Sequence, residues 1–132
     1  MNEYLRMAFS GWASVMLFAA GVALPFLLRR TPRPTKPFLR RMSPHFWLGY
    51  LTLLVSFAHA WFSMSGGNMH GIDIPGVWIA TVALLVIMGQ AGIGLMLTNP
   101  AQPQRRALRR THFWTMMLLA GLIVVNVVRN RP

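Results

Sequence analysis

The sequence predicts an all-α integral membrane fold, an up-and-down bundle of four transmembrane helices, and three observations lead there. Of the 132 residues, 55% are hydrophobic and 11% charged, with a mean hydropathy of +0.46, a balance that water-soluble domains rarely show. Four apolar runs punctuate the chain at residues 8–28, 45–64, 75–97 and 112–128, each close to the length that crosses a bilayer as a helix. Ten of the thirteen Lys and Arg residues fall in two segments between the runs, 29–41 and 105–110, as basic loops on the cytoplasmic side of a membrane do. The chain reads as a single transmembrane domain over residues 1–132.

The first run, Ala8 to Leu28, covers roughly 31 Å as a helix. It is too long for the apolar core of a signal peptide, and no small-x-small cleavage site precedes the Arg/Pro loop, so it reads as a retained span. The loop RRTPRPTKPFLRR carries three prolines in the six residues from Pro32 to Pro37 and is expected to be an extended spacer. Ser43 reads as the N-cap of the second span with Pro44 at its first helical position, which places His45 in the first turn. On the far side, SMSGGNMHGIDIPG is a glycine-rich turn carrying His70, and Pro75 opens the third span. Pro100 and Pro103 in TNPAQPQ end it, and Thr111 reads as the cap of the fourth span, with His112 in its first turn.

Both basic segments are expected in the cytoplasm, as in an inner-membrane protein, with the N-terminus, residues 65–74 and the C-terminus outside. Only Arg6, Arg129 and Arg131 then lie outside. The net charge of +11 is accounted for by orientation rather than by nucleic-acid binding. Without cysteine the chain by itself holds no disulfide, thiolate metal site or iron–sulfur cluster. Trp47, Trp61, Trp78 and Trp114 lie near span ends, where aromatic belts form, and the ten methionines are mostly apolar filler. No nucleotide loop, flavin motif or nucleophile–base arrangement is present.

The polar residues inside the spans carry the functional question. Fourteen helical residues turn through about 1400° and rise about 21 Å, so His45 and His59 share one face at opposite ends of the second span. Gly49, Thr52 and Ser56 lie between them on that face, an arrangement that suits close helix packing or a groove for a flat macrocycle. The segments RRMSPHFW and RRTHFW echo one another at a period of 67 residues, matching His45 to His112 and Trp47 to Trp114. Histidines in spans are rare and usually functional. Glu3 and Asp73 are the only carboxylates, which starves a proton relay or a carboxylate-bound metal of partners, whereas haem iron needs only two imidazoles.

On these residues, His-x13-His in one span and Arg-Arg-x-His opening a parallel one, the chain resembles the membrane b-type cytochromes of the cytochrome b561 and ferric-reductase-like four-helix group. The likeness spans about residues 40 to 128. It implies a protein that binds haem b and moves electrons across the bilayer between a quinone pool or partner subunit and an acceptor. It makes His45 and His112 the axial pair of a cytoplasmic-side haem, with Arg40, Arg41, Arg109 and Arg110 beside its propionates unless they serve orientation alone. The pattern breaks fourteen residues after His112, where Asn126 stands. His59 then takes His70 as partner, or a thioether from Met64 or Met69, or the chain holds one haem only. Gln90, among Gly89, Gly92 and Gly94, suits an interhelical hydrogen bond, or a ring substituent or quinone carbonyl. Association with other membrane subunits or with further copies is expected. The alternative is a haem-free anchor or assembly subunit whose histidines bond between helices; a transporter is disfavoured by small size and the lack of intramembrane acids.

Overall fold

A computed structural model describes residues 3–30, 38–65 and 74–129. They form four α-helices, α1 (Glu3–Arg30), α2 (Phe38–Ser65), α3 (Ile74–Thr98) and α4 (Arg105–Arg129), joined in the described part only by the turn 99–104, and no strand occurs among the described residues. Each helix is long and apolar enough to cross a membrane, so the expected all-α class with four spanning helices is the one adopted, and the chain is a multi-pass membrane protein. Large apolar side chains stand outward along every helix, among them Phe9 at 75% exposed, Trp47 at 72% and Met64 at 78%. Such a surface is stable only with hydrocarbon as its solvent. All four belt tryptophans, Trp47, Trp61, Trp78 and Trp114, are exposed in this way.

The helices form two compact units, residues 1–65 and 66–132. In the first, α1 packs on α2; in the second, α3 packs on α4. Both are antiparallel hairpins. In the first, side-chain contacts run from Arg41 with Leu28, through His45 with Gly21, to His59 with Ser10. From 41 to 59 on α2 and from 28 to 10 on α1, eighteen residues each, the helices stay in step over roughly 27 Å.

Two helix starts differ from the sequence reading, and in the same way. The second span does not begin at Ser43 but at Phe38, and the fourth not at Thr111 but at Arg105. Ser43 and Thr111 are therefore interior residues, Pro44 is an interior proline rather than the first helical residue, and His45 and His112 lie two turns in rather than in the first turn. Leu39, Arg40, Arg41 and Met42, and likewise Arg105, Arg106, Ala107 and Leu108, are all strong helix formers, which carry each helix out through its basic segment. The cap of α4 is Gln104, whose carbonyl accepts the Leu108 N–H at 2.9 Å, the first bond of the helical ladder. The basic residues 105–110 thus belong to α4 rather than to a loop. Of the expected spacer over 29–41, Arg29 and Arg30 belong to α1 and residues 38–41 to α2, while residues 31–37 lie outside the described residues.

The α3–α4 turn follows its sequence. Asn99 Oδ1 accepts the Ala101 N–H at 3.0 Å, an Asx-turn of the kind asparagine favours. The Asn99 carbonyl accepts from Gln102 N–H and from the Arg105 guanidinium. Pro75 is the second residue of α3, and Pro100 follows its end.

Candidate functional site

In the first unit both α2 histidines turn toward α1. His45 Nδ1 lies 3.0 Å from the Gly21 carbonyl oxygen. A carbonyl only accepts, so Nδ1 carries the hydrogen and Nε2 the ring's lone pair. The reason this oxygen takes an imidazole is four residues on. In a regular helix the carbonyl of residue 21 takes the N–H of residue 25, but residue 25 is Pro25, inside α1, and proline has no N–H. A carbonyl released in a span is satisfied again by a neighbouring helix, a Ser or Thr side chain, an ordered water or a local adjustment of the helix. His45 does so.

His59 meets a hydroxyl instead. Its Nδ1 lies 3.1 Å from Ser10 Oγ, and the same hydroxyl reaches the Arg6 carbonyl at 2.8 Å and the Met7 carbonyl at 3.1 Å. A hydroxyl both donates and accepts, so this contact joins His59 to α1 with either tautomer of the ring. Ser10 is 7% exposed, and beside it Gly11 gives the ring its room: a Cβ there would stand 3.0 Å from His59 Cε1.

The face that carries both histidines is therefore the one α1 covers. Thr52, between them, is 4% exposed and bonds back to the Leu48 carbonyl at 2.6 Å, and Ser56 is half-buried. Gly49 departs from the expected small-residue groove: it is exposed, with nothing within 4 Å of where its Cβ would be. Arg41 reaches back to α1, donating from Nη2 to the Leu28 carbonyl, where an arginine caps the last turn of a helix. Arg29 lies over the Phe26 ring at 6.0 Å.

In the second unit His112 is held by its backbone. Gln90 Nε2 donates to the His112 carbonyl at 2.9 Å, and Gln90 Oε1 accepts from Thr115 Oγ1 at 2.8 Å, so Gln90 bonds between helices. The His112 ring lies along α3 with Cε1 3.9 Å from the position of a Gly94 Cβ. Gly92 has open space around it, and Arg110 is exposed on α4. α2 and α4 begin 67 residues apart, the same period as His45 and His112, so each histidine stands seven residues into the second helix of its hairpin.

His70 and Met69 fall outside the described residues. Among the described residues no group of three or more His, Cys, Asp or Glu side chains gathers as a metal site. Haem iron asks for less: its axial ligands are single imidazoles that coordinate through one nitrogen and commonly donate the other N–H to a carbonyl or similar acceptor. His45, with Nδ1–H on the Gly21 carbonyl, fits that pattern. Ser10, Gly11, Gly21 and Pro25 were not singled out from the sequence, although Ser10–Gly11 and Gly21-x3-Pro25 are the small and helix-breaking positions of an otherwise apolar run. No family model, curated protein or solved structure matches this chain.

Proposed function

We propose that the chain is a membrane b-type cytochrome in which His45, His59 and His112 serve as ligands of haem b. The observation that carries this reading is the tautomer of His45, which holds Nδ1–H on the Gly21 carbonyl so that Nε2 carries the lone pair an iron takes. When bound, the haem supplies one-electron chemistry. The chain's own residues hold and orient the imidazoles: Gly21 and Ser10 through hydrogen bonds, Gln90 through the His112 backbone. Electrons then pass between a membrane quinone pool or a partner subunit and an acceptor across the bilayer. The basic ends of α2 and α4 face the cytoplasm, in an inner membrane, and the termini lie outside.

A haem-free anchor subunit is the second reading, and one observation favours it: the same bonds satisfy the Gly21 carbonyl and Ser10 without any cofactor. A dithionite-reduced minus oxidised spectrum of purified protein, with a pyridine haemochrome count, separates the two. Haem near one or two per chain with a b-type α-band is expected, reduced in part or whole in His45→Ala, His59→Ala and His112→Ala. A protein that stays colourless after haem supplementation overturns the cytochrome reading in favour of the anchor.

A further inference from the structure

We propose that α1 is the positioning helix of the histidine pair and that Pro25 is its working residue: by withholding an amide hydrogen from the Gly21 carbonyl, Pro25 makes that oxygen the acceptor of His45 Nδ1–H and so determines that Nε2 is the nitrogen His45 offers a ligand. The ligand half of this statement rests on the cytochrome reading; the tautomer half does not.

The argument begins with a cost. A proline in a helix interior removes a ladder bond and crowds the carbonyl four residues back, and in a span the freed carbonyl must be satisfied again. Pro25 stands well inside α1, five residues before its end at Arg30. The carbonyl it releases is the one His45 meets at 3.0 Å. Gly21 itself is not there for space, since a Cβ at that position meets nothing within 4 Å; what matters at position 21 is the backbone oxygen. At the far end Ser10 meets His59 through a hydroxyl, which can donate or accept, so it sets no tautomer there. Of the two α2 histidines it is His45 whose acceptor on α1, a carbonyl, admits only Nδ1–H.

The test is nitrogen NMR of the full-length protein in detergent micelles, with 15N-labelled imidazoles assigned through His45→Gln and His59→Gln. In the unsubstituted protein His45 is expected with Nδ1–H. Pro25→Ala restores the residue-25 amide and should release His45 toward Nε2–H while leaving His59 unchanged. Ser10→Ala should leave His45 unchanged, and Gly21→Ala, which keeps the carbonyl, should do the same. His45 carrying Nε2–H in the unsubstituted protein overturns the proposal, and so does a Pro25→Ala protein whose His45 keeps Nδ1–H in full. Haem titration of the same proteins is the second arm: loss of such an outer hydrogen bond weakens metal binding by about 10- to 100-fold, and that loss is expected in Pro25→Ala alone of the two α1 backbone variants. No haem uptake in any protein sinks the cytochrome reading while the NMR still decides the role of Pro25. Uptake that Pro25→Ala leaves unaltered sinks the positioning role and leaves the cytochrome reading standing.

Discussion

Gly11 faces the His59 imidazole, and it is where a single methyl group is most informative. A Cβ at that position stands 3.0 Å from His59 Cε1 and 3.4 Å from Nδ1, and the ring does not retreat freely because Ser10 holds it. Gly11→Ala is therefore expected to cost about 1–3 kcal/mol as an overpacked contact and to disturb His59 without touching His45. Gly49→Ala, with nothing within 4 Å, is the matched control and should be near neutral. Reversible unfolding in mixed micelles reads the stability. In the cytochrome reading, the absorption band of any haem held by His59 should shift in Gly11→Ala while that of the His45 haem stays. Equal behaviour of the two glycine variants would mean that the ring is not confined by Gly11.

At the scale of the element, each hairpin is held by a short polar clasp inside an apolar contact. Lipid removes the hydrophobic drive between helices, so such bonds and close packing decide which faces meet. In the second unit the clasp is Gln90, bonded to the His112 backbone and to Thr115. Gln90→Leu keeps the volume and removes both bonds, and a loss of about 0.6 to 1.7 kcal/mol is expected, the range found for interhelical bonds in membranes. Because Gln90 sets the height of His112, the same variant should broaden the spectrum of a haem bound there. Thr115→Val removes one bond of the pair and should cost less than Gln90→Leu; the reverse order would place the main contact elsewhere. The early starts of α2 and α4 also belong to this scale. Ser43-Pro44 and Thr111 are sound local start signals, yet the residues ahead of them are better helix formers than the signals are breakers.

For the whole molecule, orientation decides which helix ends lie on which side of the membrane. A reporter active only outside the membrane, fused after residue 70 or at the C-terminus, should be active; fused after residue 34 or 102 it should be silent. Replacing Arg105, Arg106, Arg109 and Arg110 by Gln removes four of the ten basic residues in the two segments and should produce a mixed orientation of α3 and α4, since Lys and Arg near span ends carry the signal. Activity of the reporter after residue 34 in the unaltered protein would reverse the whole topology and put His45 and His112 on the outer side.

The sequence by itself determined the class, four spans of sufficient apolar length, because bilayer thickness and hydropathy are properties of composition and run length alone. It also singled out His45, His59 and His112, since a titratable ring stands out in so apolar a run. What it did not yield was α1. Whether a histidine meets Ser10, Gly21 or another residue depends on which helix pairs with which and in what register, and neither is written in the spacing of one span. The pairing of Pro25 with His45 joins residues 20 apart in the chain through an oxygen that every residue possesses, so no side-chain pattern announces it. Only the folded α1–α2 hairpin brings the released carbonyl to the imidazole, because a hydrogen bond between helices needs their register as well as the two groups.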